Sequence, residues 1–253
     1  MFSPFLVLVT GLAFQQIQPV ATSNQPAPNP VPRPEVTPEL RCRIMMARKQ
    51  YRDAVDCYKA GAADSAVWAN MTGVAYHQLG DPQDLDNAGK YYRKAIKLNP
   101  QYAEAINNLG TVYYAKKSYR RAVTEYRKAL AIEPDSAPFL ANLGTAYFAR
   151  KQYQLASEEY VAALRIDPDI FERRSNEGST IQDQTVEERA KYHYYVAKTY
   201  AETGEKERAI QYIRKALEEG FKDRQKFLKE PAFASLRDDP EFKSVMATEQ
   251  KAL

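Results

Sequence analysis

Residues 107–134 (NNLGTVYYAKKSYRRAVTEYRKALAIEP) align without a gap on residues 141–168 (ANLGTAYFARKQYQLASEEYVAALRIDP), an offset of 34. Leu109, Gly110, Tyr113, Ala122, Tyr126, Ala129 and Pro134 match Leu143, Gly144, Tyr147, Ala156, Tyr160, Ala163 and Pro168. Self-similarity at such a period constrains the fold more than composition does. It is the mark of stacked supersecondary units that share one continuous core. Within a unit, Ile106, Leu109, Gly110 and Tyr113 fall at three- and four-residue steps, so they share one helical face. Ala122, Tyr126 and Ala129 do the same on a second helix. Gly110 and Ala122 lack bulk and permit a close crossing, and Tyr126 fills the space beside them. Pro134 stops the second helix.

The pattern extends in both directions. Upstream, Trp68, Met71, Ala88, Tyr92, Ala95 and Pro100 form another unit, whose inter-helix turn (GDPQDLDN, 80–87) is read as carrying four extra residues. ARKQYRDAVDCY (47–58) aligns on ARKQYQLASEEY (149–160) and marks a degraded first unit, with a start expected at Thr37-Pro38. Downstream, Tyr200, Ala209, Ile213 and Ala216 form a last unit after a polar insertion. Thr185 and Glu188 have capping-box spacing and restart the helix there. The units expected are about 37–64, 65–102, 103–136, 137–170 and 186–221, with a loop insertion over 169–185. Residues 222–253 are expected to form capping helices and a tail, because the open end of a solenoid needs a cover.

This arrangement of residues resembles the tetratricopeptide repeat (TPR), with its L-G-x2-Y…A-x3-F/Y…A…P signature; Ile106 and Leu140 stand in the Trp place. The resemblance covers roughly 37–221. It implies an all-α fold, a right-handed α-solenoid of about five helical hairpins with a C-terminal capping region. It suggests an exported TPR protein of bacterial type.

Residues Phe5 to Phe14 (FLVLVTGLAF) form a ten-residue apolar run, too short to span a bilayer, which needs about 20 apolar residues. With the small residues Ala21, Thr22 and Ser23 it reads as a signal-peptide-like segment over 1–23. No Lys or Arg precedes it, and the competing reading is an uncleaved apolar tail. Exported, the protein is periplasmic or secreted; without a functional signal it is cytoplasmic. Residues 24–36 are Pro-rich. They suit a disordered polyproline-II spacer, with a Pro-rich ligand motif as the alternative.

Composition narrows the chemistry. Two His and two Cys rule out a metal cage rich in these residues, and ten glycines argue against phosphate loops. The charges, 36 basic and 32 acidic, leave +4, too small a bias to imply nucleic acid. His77 and His193 stand 116 positions apart with no nucleophile or carboxylate at a recognisable spacing. No catalytic, cofactor or metal residue is assigned, and no small-molecule substrate is expected.

Asn108 and Asn142 stand immediately before the Leu-Gly pair, and Asn70 is read as their equivalent. In the family this place faces the concave groove, where a primary amide can both donate to and accept from a peptide backbone. Tyr76, Tyr114 and Phe148 lie one turn further, and Asn107, Thr111 and Thr145 complete the candidate wall. Aromatic groups of this kind are favoured in binding hot spots. The alternative is that Asn is merely common there. A cation ring for a terminal carboxylate is missing: Ala69, Gly73, Asn107 and Thr111 occupy the places it would need. Arg93-Lys94, Arg127-Lys128 and Arg214-Lys215 recur in phase on the second helices, interrupted by Val161-Ala162, and read chiefly as a solvated face. Cys42 replaces the close-packing glycine of the first unit, and Cys57 lies on the partner helix. In an exported chain these two can form a disulfide that staples the first unit; the competing reading is two small buried apolar side chains.

The function expected is a non-catalytic scaffold holding a protein or peptide partner in the groove. The alternative is a structural subunit of an envelope assembly using the convex face or the solenoid ends. The oligomeric state is left open.

Overall fold

A computed structural model describes residues 37–172 and 185–247. The expectations for residues 1–36, most of the 169–185 insertion and the last six residues lie outside these. Every element among the described residues is helical: α1 (Pro38–Ala47), α2 (Tyr51–Lys59), α3 (Ala66–Leu79), α4 (Pro82–Leu98), α5 (Ala103–Ala115), α6 (Tyr119–Ile132), α7 (Ala137–Ala149), α8 (Tyr153–Ile166), α9 (Val186–Glu202), α10 (Lys206–Glu218), α11 (Gln225–Lys229), a 3-10 turn (Pro231–Leu236) and α12 (Pro240–Ala247). α1 to α10 pair as five hairpins. α1 opens on Thr37, whose hydroxyl accepts the Leu40 amide at 3.2 Å, with Pro38 in its first turn.

The close crossing rests on a glycine laid against a tyrosine ring. A Cβ on Gly110 would stand 2.7 Å from Tyr126 Cε1, and one on Gly144 would stand 2.5 Å from Tyr160 Cε1. Gly73 meets Tyr92 in the same way, at 2.6 Å. That contact corrects the sequence register of the second hairpin. Gly73, not Thr72, is the counterpart of Gly110, so Asn70 corresponds to Asn107 and Tyr76 to Tyr113. The insertion is three residues rather than four, and it is not in the turn. It adds a turn of helix to the start of α4, which has 17 residues where α6 has 14. In the first hairpin Cys42 takes the glycine place and is joined to Cys57 of α2 by a disulfide. In the fifth, Ala197 stands at the glycine place and Ile213 at the tyrosine place by the same spacing as Gly144 and Tyr160, both wholly buried. A methyl fits there because the facing side chain is no longer an aromatic ring.

The first helices α1, α5, α7 and α9 end the same way. Lys117 N–H donates to Tyr114 O and Ser118 N–H to Tyr113 O, both at 2.8 Å, a Schellman closure. It demands a left-handed residue, and the five turns place one at equivalent positions: Lys49, Gly80, Lys117, Lys151 and Gly204, with φ of 59°, 81°, 57°, 60° and 86°.

The first four hairpins stack in one sense. Phe139, at the start of α7, packs with Ala129 and Ile132 at the end of α6, so α7 runs antiparallel to α6. The fifth hairpin is turned end for end. Near the start of α9, Lys191 lies over the Tyr153 ring at 4.1 Å and Tyr195 stacks on it at 4.9 Å; Tyr153 opens α8. Near its end, Tyr200 meets Phe171, just beyond α8, at 6.0 Å. Arg208, opening α10, pairs with Asp169 and donates to the Pro168 carbonyl. α9 therefore runs alongside α8 in the same direction. The connection permits this. Four residues (133–136) join α6 to α7 and reach at most about 14 Å. α8 is about 21 Å long, and the 19 residues between α8 and α9 exceed that length when extended.

Beyond α10 the chain covers the exposed side of α9. Tyr194 stacks on Phe221 at 4.7 Å and meets Phe227 edge-on at 5.3 Å. Its hydroxyl donates to Glu230, which also pairs with Lys198 at 2.8 Å. Phe227, Phe233, Leu236 and Phe242 are buried beneath this cover.

Candidate functional site

The second helices bury one face against their partners, and the first helices keep one narrow stripe open. On α3 the stripe is Val67, Met71, Val74 and Gln78; on α5 it is Glu104, Asn108, Thr111 and Ala115; on α7 it is Pro138, Asn142 and Ala149. Steps of three and four residues put each set on one side of its helix. Leu40, Arg43 and Ala47 continue the stripe on α1. Its character changes along the array. The first two hairpins offer mainly apolar side chains, with Leu40 45% and Val67 50% exposed, beside the exposed Arg43 and Gln78. The third and fourth offer amides and a hydroxyl.

The asparagines behind this stripe form one hydrogen-bonded relay across three hairpins. Asn142 donates to Asn107 Oδ1 at 2.9 Å, and Asn107 donates to Asn108 Oδ1 at 3.4 Å. Asn108 donates to Asn70 Oδ1 at 3.1 Å, and Asn70 donates to the Tyr102 hydroxyl at 3.4 Å. That hydroxyl in turn donates to Glu104. Burial and the Glu104 charge raise the Tyr102 pKa, keeping it a donor. Sequence reasoning missed Tyr102; its place just ahead of α5, within reach of the preceding hairpin, is the available signal.

The candidate wall therefore divides. Asn70, Asn107, Thr145, Tyr114 and Phe148 are buried and line no open face. Asn108, Asn142, Thr111 and Tyr76 are half-buried. The reason is the same in each buried case: the position meets a neighbouring helix. Tyr114 packs on Tyr119 at 5.2 Å and Phe148 on Tyr153 at 5.3 Å, each from the start of the following helix. Tyr76 stacks on Tyr91 at 5.7 Å with the Lys59 amine over it. Thr111 and Thr145 accept from Tyr126 and Tyr160, tying the first helix to the second. The basic pairs of the second helices are largely engaged: Lys128 with Glu125, Arg214 with Glu241, Arg127 over Tyr147 and Lys215 over Tyr212.

Among the described residues no group of three or more His, Cys, Asp or Glu is placed to hold a metal ion. No described helix is long and apolar enough to cross a membrane. Family models for the tetratricopeptide repeat match residues 70–102, 91–124, 137–170 and 190–219, and a further TPR repeat model matches 110–149. The chain belongs to the tetratricopeptide-repeat family. The matches begin at residue 70, so the disulfide-joined first hairpin is recognised by structure rather than by sequence profile.

The fold is similar to that of MamA (residues 41 to the end) from Desulfovibrio magneticus RS-1, at 21% identity and a TM-score of 0.50, covering 72% of this TPR chain and 92% of MamA. A chain of the APC/C hetero-tetramer Cut9–Hcn1 matches at 18% identity and a TM-score of 0.50 over 81% of this chain, but only 34% of its own length is covered. At these identities the likeness concerns the fold alone. No curated protein matches the sequence.

Proposed function

We propose that this TPR protein is a non-catalytic scaffold that takes an extended segment of a partner protein along the open stripe of its first helices. The observation that carries the reading is the stripe itself: largely apolar on α1 and α3, with Arg43 and Gln78 beside the apolar groups, then amide-bearing on α5 and α7. Aliphatic side chains of a partner would enter the first half. The outward edges of Asn108 and Asn142 would meet its backbone in the second half. The relay behind them fixes these two amides in place, so less freedom is lost on binding. The cover on α9 leaves the first helices as the surface for capture.

We further place the protein outside the cytoplasm. The apolar run at 5–14 supports this reading, as does the Cys42–Cys57 bond, since disulfides persist in oxidising compartments.

The test is a peptide-display selection on the full chain, followed by titration of selected peptides against variants. Val67→Glu with Glu104→Arg changes only exposed positions, so helical content should stay constant while affinity falls at least about tenfold, the effect of 1.4 kcal/mol. Asn108→Ala with Asn142→Ala should also lose binding. Equal binding by both variants rejects the groove.

A further inference from the structure

The five inter-helix turns solve one backbone problem in two ways. All require a left-handed residue. Gly80 and Gly204 supply it without a Cβ, whereas Lys49, Lys117 and Lys151 do so with an L side chain at φ near 60°. The three lysine turns and the Gly204 turn close by the same Schellman bonds, as with Gln50 to Met45, Gln152 to Tyr147 and Glu205 to Tyr200. The fold by itself therefore favours glycine at all five places. A cation at a helix C-terminus is stabilising, but Arg48, Lys116 and Arg150 already stand at the cap positions. The second cation is surplus to the helix and costs the backbone.

In the third and fourth hairpins these surplus charges gather. Lys116, Lys117, Arg120 and Arg121 lie at one turn, Arg150 and Lys151 at the next. Lys117, Arg120, Arg150 and Lys151 form no ion pair among the described residues; Lys116 pairs with Asp86 of α4. The turned fifth hairpin brings the start of α9, with Glu187 and Glu188, towards Tyr119 on this edge. Six cations thus stand against three carboxylates. Leu155, 36% exposed, and Val186, 52% exposed, flank the row.

We infer that this turn edge is an electrostatic docking surface for an anionic lipid bilayer. The row lies at the helix ends, at the same position in successive units. Such an edge suits a broad plane of negative charge better than a single extended chain, which needs walls. Lysine and arginine on flexible stems read charge density rather than geometry, and exposed aliphatic groups beside them suit the headgroup boundary. The edge shares no residue with the open stripe, although the two adjoin where Ala115 and Ala149 precede Lys116 and Arg150.

The experiment uses the full chain with vesicles of phosphatidylcholine alone or containing one third phosphatidylglycerol, at low and high salt. The variant is Lys117→Gly with Lys151→Gly, which copies the turns at Gly80 and Gly204 and should melt no lower than the parent. Each lysine at an anionic surface is worth about fivefold in affinity, so the variant should bind anionic vesicles at least about tenfold more weakly. Binding to neutral vesicles should not change. Lys117→Asn with Lys151→Asn, a residue that also tolerates the left-handed region, should behave alike. The inference is overturned if the parent does not distinguish the two vesicles, or if both variants bind as the parent does. Saturable binding of polyglutamate through the same lysines, without preference for anionic vesicles, would assign the edge to an acidic protein instead and also overturn it.

Discussion

The fourth and fifth hairpins share one repeat register and are both recognised as TPR units, yet they meet their neighbours differently. α7 enters antiparallel to α6, as the four-residue link requires. α9 returns alongside α8 in the same direction, after a link of 19 residues. The difference separates two kinds of information. The signature residues (Gly144 against Tyr160, Ala197 against Ile213) describe contacts inside a hairpin. The direction of stacking is set by link length and by side chains outside the signature: Tyr153, Phe171, Tyr195 and Arg208. The inversion also exchanges the neighbours of α9, presenting Tyr194 to the C-terminal cover and ending the array.

The largest expected effect lies at the joint. Tyr160 is wholly buried and meets both Phe171, at 5.2 Å, and Tyr192, at 6.0 Å. It thus serves its own hairpin and the inverted one. Tyr160→Ala should cost about 3–5 kcal/mol, as buried aromatic truncations do, read by urea unfolding. If Tyr126→Ala, which lies between two regular hairpins, costs several kcal/mol more, Tyr160 is not the joint.

The glycine–tyrosine pair gives the next test. Gly144→Ala drives a methyl into the Tyr160 ring and should cost about 1–3 kcal/mol. In the fifth hairpin the pair can be rebuilt: Ile213→Tyr should destabilise alone and be partly rescued by Ala197→Gly. A double-mutant cycle should show about 1–3 kcal/mol of coupling. Additive changes would mean that α9 and α10 do not cross as α7 and α8 do.

Much of this was legible in the sequence because hairpin contacts are local and periodic. The 34-residue offset reported the helices, the glycine crossings and the prolines. Thr185 and Glu188 announced the start of α9, where both bonds of the capping box form. Three things were not legible. The register of the second hairpin slipped by one, because Thr72-Gly73 blurs the Leu-Gly mark and the inserted residues extend a helix rather than a loop. The groove reading overcounted open positions, because periodicity identifies a face but not the neighbour that covers it: Asn70 and Asn107 point into the next helix. The inversion of α9 depends on a connection whose length is plain but whose path no repeat residue encodes.

Thr185→Ala tests how firmly the inverted hairpin is started. It removes the cap hydroxyl that accepts the Glu188 amide at 3.2 Å and should cost about 1 kcal/mol. The loss should appear as faster amide exchange in the first turn of α9, with α7 unchanged. Equal change in both would show that the two hairpins unfold as one.

The smallest effect contrasts the two histidines. Burial holds His77 of α3 below the ordinary value of 6.5. Burial also holds His193 of α9 down, but Glu219, 2.9 Å away, opposes it, while Lys215 and Arg189 reinforce it. With a folded value below the unfolded one, the unfolded chain takes up its proton first. The stability tied to each neutral imidazole is complete above about pH 6.5 and drains away as pH falls towards the folded value. His77→Gln should therefore flatten the decline in unfolding midpoint between neutral and mildly acidic pH. Glu219→Gln should steepen it, because it removes the one group that helps His193 carry a proton inside the fold. A slope unchanged by Glu219→Gln would show that His193 is set by burial alone, and that the inverted hairpin places its histidine no differently from the regular one.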